Sequence, residues 1–254
     1  MYTPSWYAGH TSSSLESARV ILKVLFEDYL PASVFDVGCG SGAWLMAAEE
    51  LGCTRLSGVD GPWANPTSLL SKKTEFYTVN FEKDFKVREK FDLCISVEVG
   101  EHVSGGRAAS FVKTLSSAAD VVLFSAAIPG QGGTYHINEQ WQSYWAELFG
   151  QFGYECHDLL RPRLWTNREV ASWYKQNILL YVKRSHPITE KVRTKSQQPG
   201  PLDVVHPEIY EGNLDSLQRL IAEPTLQFCG QSFGRWARRQ LRKIIGRSHS
   251  RPTL

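Results

Sequence analysis

The sequence predicts an α/β fold built on a mostly parallel sheet, and three observations carry that prediction. Short apolar runs alternate with segments of helical period along the first two thirds of the chain, the pattern of strands joined by right-handed crossovers. The first two runs, 33–37 and 55–60, each place an acid at or near their end, Asp36 and Asp60. Between the first run and the helix after it lie Gly38, Gly40 and Gly42 at alternate positions. Glycine lets the backbone turn sharply and pass close to a ligand, and a helix opening behind such a turn points free N–H groups at it.

The elements follow in order. Ser12 to Ser14 supply N-caps for a helix over about 15–30, with Leu15, Ala18, Leu22, Leu25 and Leu30 as its apolar stripe. Residues 1–10 read as irregular. After the strand 33–37 and the glycine turn, a helix runs to about Leu51, with Gly52 as its cap. Strands are predicted at 55–60, 76–79, 91–97 and 120–125, with a helix over 106–118 before the last. A glycine-rich loop, Ile128 to Gly133, precedes a helix over 139–150. Strands at 154–160 and 178–182 flank a short helix near 167–175 and lack the earlier crossover pattern, so they suit an antiparallel edge.

At 254 residues the chain can bury one large core and carry an appendage. The five cysteines are scattered without a C-x-x-C pair, so neither a disulfide framework nor a zinc site is expected, and no metal is expected. There is no signal-peptide pattern near Met1 and no run of about 18 apolar residues. The expected location is cytoplasmic, with a peripheral membrane contact as the variant.

The spacing of the glycines bears on the ligand. A dinucleotide fingerprint runs G-x-G-x-x-G, whereas these run G-x-G-x-G. Asp36 just before the turn would repel a diphosphate and welcome an amine. Asp60 suits a pair of ribose hydroxyls, because a carboxylate accepts two hydrogen bonds. An amine end, a ribose and no diphosphate describe S-adenosylmethionine.

The stretch from Asp36 to Gly42, the pair Val59-Asp60, and the run from Phe91 to His102 (Phe-Asp-Leu-Cys-Ile-Ser-Val-Glu-Val-Gly-Glu-His) resemble the motifs of class I S-adenosylmethionine-dependent methyltransferases over residues 15–183. The resemblance implies a Rossmann-like seven-stranded sheet, mostly parallel with an antiparallel last strand, and helices on both faces. It implies that Gly38, Cys39, Gly40 and Gly42 pass the methionine part, that Asp36 anchors the amine and that Asp60, with Gly61, holds the ribose. Asn80 and Phe81 stand at the adenine position, with Asn80 where the family often has an acid. Val97 and Glu98 would lie near the sulfonium.

The acceptor side is read from 126–145. His136 is the first choice for a general base and His102 the second, since an unperturbed imidazole titrates near 6.5; Glu98 is a third catalytic candidate. Glu139, Gln140 and Trp141 are candidates for orienting His136 or binding substrate. Plainer readings stand beside these: Asn138 as an N-cap, Glu139 and Gln140 as first-turn residues, the Glu101-His102 pair as structural, and Trp141, Tyr144, Trp145 and Leu148 as the buried face of a helix. Arg161, Arg163 and Arg168 suit either an anionic acceptor or solvent. The stretch His136 to Trp141 and the later Trp173-Tyr174-x-Gln176-Asn177 also resemble a bacterial subgroup of the family with a His-x-Asn-Glu-Gln-Trp signature. That subgroup is associated with surface-glycan and other biosynthetic gene clusters.

The domain reading is 1–184 for the catalytic unit, 185–201 for a linker and 202–254 for a helical extension. Residues 231–254 hold seven basic and no acidic side chains, and 232–246 form a basic amphipathic helix. Docking on the chain's own acidic body or a second subunit, a membrane surface, and nucleic acid are its three readings, the last disfavoured because the body lacks a second basic face. The expected function is methyl transfer to a hydroxyl of a small-molecule or saccharide-like acceptor. An amine acceptor and a non-catalytic cofactor-binding partner protein are the alternatives.

Overall fold

The structure is a computed structural model that describes residues 4–196, 201–222 and 230, with side chains from Ser12 onward. Helix α1 spans Pro4–Phe26. Strand β1 (Ser33–Val37) leads through the glycine turn to α2 (Ala43–Glu50) and β2 (Arg55–Asp60). Then come β3 (Glu75–Thr78), β4 (Leu93–Val97), α3 (Ala108–Ala118) and β5 (Val121–Ser125). Helix α4 (Gln142–Gln151), β6 (Tyr154–His157), α5 (Arg161–Leu164), α6 (Ser172–Asn177), β7 (Leu179–Lys183) and α7 (Thr189–Lys195) complete the first compact unit, which runs to His206. The second unit begins at Pro207 with α8 (Pro207–Ala222). Tyr210, Leu214, Leu217 and Ile221 fall at helical spacing along α8.

The seven strands form one sheet in the order β3-β2-β1-β4-β5-β7-β6. Strands β1 to β5 pair in parallel, and β7 lies antiparallel to both β5 and β6. Side chains alternate between faces. Val34, Leu56, Leu93, Ile95, Val121, Leu123, Leu180 and Val182 join one buried cluster with Ile21, Leu22 and Leu25 of α1 and Leu45 and Ala48 of α2. Phe35, Val37, Val59, Cys94, Val122, Phe124, Leu179 and Tyr181 join the other, with Phe111, Val112 and Leu115 of α3 and Trp145 and Phe149 of α4. Helices therefore cover both faces, as the two-sided apolar strands require.

Several element boundaries differ from the sequence expectation. Helix α1 takes in residues read as irregular, and it stops at Phe26, leaving Leu30 67 % exposed rather than in the stripe. The sheet face over β1 to β3 has no crossover helix among the described residues of 79–92; Phe81, Phe85 and Val87 pack there from irregular chain. The expected linker contains α7, anchored by buried Val192 and by Thr189 Oγ1 donating to the Lys183 carbonyl at 3.0 Å. The stretch after it also belongs to the first unit. The Ser143 N–H donates to Asp203 at 2.8 Å, and Gln142 donates to the Val204 carbonyl at 3.1 Å. Unit one thus ends at His206, beyond the expected start of the extension at 202. The basic segment 232–246 lies outside the described residues.

Candidate functional site

Strand β1 has β2 on one side and β4 on the other, and the chain order reverses there. Ligands in open α/β sheets bind outside the carboxyl ends of the strands at such a switch point. The glycine turn leaves β1 at that place. Gly38, Gly40 and Gly42 have φ of 86°, 53° and 74°, in the left-handed region that favours glycine. A Cβ on Gly38 would stand 2.3 Å from Val99, while one on Gly40 would meet nothing within 4 Å. The turn is thus packed on its inner side and open at its tip.

Asp60 ends β2 beneath the turn. Its carboxylate accepts from the Gly40 N–H and the Gly61 N–H, each at 2.6 Å. Burial raises its pKa, and the two backbone bonds and the Trp63 indole act against that rise. Cys39 is buried and tucks its thiol against β2, where a Cβ on Gly58 would come within 2.8 Å of the sulfur. Asn80 spends its amide oxygen on the Glu82 N–H at 2.9 Å, and Phe81 packs edge-on against Phe85 and Phe111. Both residues expected at the adenine position are held by these local contacts.

Asp36 lies inside the sheet at 2 % exposure, and its Oδ2 has no hydrogen-bond partner. Burial first, and the Asp60 charge second, push its carboxyl well above the usual range. The folded chain holds this proton more tightly than the unfolded one. Between about pH 4, where an unfolded Asp titrates, and the folded pKa, stability falls as pH rises. Asp36→Asn should therefore stabilise the ligand-free chain more at pH 8 than at pH 5. Melting temperatures of both forms at both pH values check this; an equal difference at the two would contradict it.

A second set of polar groups gathers past the ends of β4 and β5. Glu98 follows Val97, the half-buried last residue of β4, with φ of 55°, a strained value for a non-glycine. Its carboxylate accepts from Ser125 Oγ at 2.7 Å, Asn177 Nδ2 at 3.1 Å and Gln131 Nε2 at 3.1 Å. Burial raises its pKa, with these three donors and His136 opposing. Gln176 Nε2 donates to the Gln131 and Asn177 side-chain oxygens, each at 3.0 Å, which closes the network. Glu101 is fully buried, and neither of its carboxylate oxygens has a hydrogen-bond partner.

The loop leaving β5 brings His136 to this place. Glu139 accepts from the Gly130 N–H at 2.8 Å, the Gly132 N–H at 2.9 Å and His136 Nδ1 at 3.0 Å. The Ile137 and Asn138 N–H groups donate to the Glu101 carbonyl at 2.9 and 3.0 Å. The His102 and His136 rings meet edge to face at 4.9 Å between centroids. Burial lowers the His102 pKa, opposed by its contact with the Tyr135 carbonyl.

The remaining candidates divide. Glu139 is bonded to His136 Nδ1 and to the Gly130 and Gly132 N–H groups. Gln140 Nε2 donates to Asn138 Oδ1 at 3.0 Å within the loop, and Trp141 stands at the start of α4, 40 % exposed. Asn138 does not cap α4, which begins at Gln142; instead it is buried and reaches the Gly100 carbonyl. Arg161 is not an open anion site: it is 2 % exposed, paired with Asp158 and bonded to the Gln176 and Leu202 carbonyls. Arg163 pairs with Glu27 and Asp28. Sequence reasoning missed Gln131 and Asn177 as donors to Glu98 and Gln176 as the residue that joins those two, and it missed Glu101 as a fully buried carboxyl beside His136. The Gln176-Asn177 dipeptide was the available signal.

No protein-family model matches the chain, and no curated protein matches it. Solved structures do. The sugar N-methyltransferase KedS8 from Streptoalloteichus sp ATCC 53650 is similar with a TM-score of 0.52 at 14% identity, over 66% of this chain and 87% of that one. The O-methyltransferase NcsB1 from neocarzinostatin biosynthesis, solved with S-adenosyl-L-homocysteine and 1,4-dihydroxy-2-naphthoic acid, is similar with a TM-score of 0.50 at 16% identity, over 71% of this chain and 58% of that one. With its strand order, its antiparallel β7 and its glycine turn at the switch point, the chain has the fold of the class I S-adenosylmethionine-dependent methyltransferases.

Proposed function

We propose that the chain is an S-adenosylmethionine-dependent methyltransferase acting on a hydroxyl of a small-molecule or saccharide-like acceptor. The observation that carries this reading is one juxtaposition. The open glycine turn with Asp36 and Asp60 stands beside a buried acid and imidazole cluster, and Val99, packed on Gly38, links the two. The residues suit the cofactor. Asp36 Oδ2 lacks a partner and would receive the amine, Asp60 would accept from the ribose, and the tip of the turn at Gly40 is open. Bound there, S-adenosylmethionine would supply a methyl group activated on a sulfonium.

The chain's own task is then to place the acceptor and take a proton from it. A hydroxyl loses its proton as it attacks, so a base is needed. His136 fits: Glu139 holds its Nδ1, which leaves Nε2 to receive the proton. An amine that is already neutral needs no such base. Label from methyl-tritiated S-adenosylmethionine should appear in hydroxyl acceptors of a saccharide and phenol panel. Label in amine acceptors alone would overturn the hydroxyl assignment.

The position of His136 depends on Gly133. A Cβ there would stand 2.3 Å from His136 Cε1 and Nε2, and the φ of 154° already disfavours a side chain. Gly133→Ala should slow turnover by about a hundred-fold, the size of a small misplacement of a reacting group, while S-adenosylhomocysteine affinity holds. Equal turnover would show that the imidazole's place is immaterial.

No helix among the described residues is long and apolar enough to cross a membrane. A cytoplasmic location and docking of the basic segment 232–246 on the body, a second subunit or a membrane surface belong to the same proposal, supported by the sequence pattern alone.

A further inference from the structure

We infer that Glu101, His102 and His136 form a binding site for one divalent transition-metal ion. Each side chain offers one ligand atom, and the three atoms lie within 4.8 Å of one another. Two imidazoles and a carboxylate suit manganese, iron, cobalt or zinc, whereas calcium and magnesium favour oxygen donors. The second observation is the state of Glu101. It is 0 % exposed, and neither carboxylate oxygen has a hydrogen-bond partner. A buried charge is costly unless it is paired or coordinates a metal. Glu98, three residues earlier, is bonded by Ser125, Asn177 and Gln131; no such set of side-chain donors reaches Glu101, which meets the backbone at Glu101 and Ala127, the Glu98 carboxyl and the His136 ring.

The imidazoles are arranged as ligands are. His136 Nδ1 lies 3.0 Å from Glu139 Oε1, and His102 Nδ1 lies 3.3 Å from the Tyr135 carbonyl. Oxygen acceptors require N–H donors, so Nδ1 carries the hydrogen in each ring and Nε2 is the atom left to face an ion. Metal-bound histidines are oriented by this kind of outer hydrogen bond. His136 Nε2 stands 3.9 Å from Glu101 Oε1. Ligands at about 2.0–2.2 Å from one ion sit roughly 3–3.5 Å apart, so small side-chain rotations close the site. Cysteine spacing gave no sign of it, because its donors are nitrogen and oxygen, and they come from the segments that follow two different strands, β4 and β5.

The inference shares His136 with the methyltransferase reading and rests on that reading only for its use: an ion held there would make His136 a ligand instead of the base. The test uses the full chain, stripped with a chelator. It is titrated with Co²⁺, followed by visible absorption, and with Zn²⁺, followed by calorimetry. One ion per chain is expected. Glu101→Gln and His136→Asn should each weaken Zn²⁺ at least about tenfold, the lower bound for losing even an outer partner, while S-adenosylhomocysteine binding on the same samples stays within about twofold. Less than one ion per chain, or unchanged Zn²⁺ affinity in Glu101→Gln, overturns the site. Should circular dichroism show that variant unfolded, His102→Gln carries the same expectation and the same overturning result. A wild-type chain that binds the ion but not S-adenosylhomocysteine would sink the methyltransferase reading and leave the ion site standing.

Discussion

Asp60→Ala should weaken S-adenosylhomocysteine binding by about a hundred-fold. The carboxylate does two things at once. It fixes the turn by accepting from the Gly40 and Gly61 N–H groups at 2.6 Å, and in the proposed site it accepts from the ribose. Hydrogen bonds to a charged group contribute about 1.5–3 kcal/mol each. Losing the equivalent of one or two such bonds to the ligand corresponds to about 3 kcal/mol, or about two decades in affinity. Burial of this carboxylate keeps solvent from screening the loss. Asp60→Asn should fall between, because its amide retains one acceptor oxygen but sets an NH₂ group against a backbone donor. Calorimetric titration of the three forms checks the order. Wild-type affinity in the alanine variant would remove Asp60 from the ligand site.

His136→Ala should lower turnover by at least about a hundred-fold, the lower range for a positioned acid–base group, with S-adenosylhomocysteine affinity within about twofold of wild type. The separation is the informative part. His136 sits past β5, tied to Glu139, while the glycine turn sits past β1. A structural role alone would move both quantities together. If His136→Ala turns over normally and His102→Ala does not, the base is His102. Single-turnover rates and titrations on both variants decide.

What was legible in the sequence was local. Glycines at alternate positions, an acid in one strand and an acid ending the next are contiguous signals, and they specify a turn that the structure builds with three positive φ values. The alternation of apolar runs with helical segments likewise announced a mostly parallel sheet, which the structure has. The acceptor side depends on distant contacts. Asn138 has the residue type of an N-cap, yet the Gly100 carbonyl and the Gln140 amide engage it first. Arg161 reads as a surface cation and is buried because Asp158 and two carbonyls satisfy it. Glu101 beside His102 reads as an ordinary polar pair. Only the return of the loop from β5, which places His136 next to them, makes the carboxylate's lack of partners visible. The crossover that β3 to β4 lacks could not be foreseen either, since 79–92 holds enough apolar residues to cover the sheet without a helix.

The most direct measurement is calorimetric titration of the wild-type chain with S-adenosylhomocysteine, paired with its melting temperature. One site per chain is expected, with a rise in melting temperature that grows with ligand concentration as selective binding to the folded state requires. No heat and no thermal shift would contradict the account at its base.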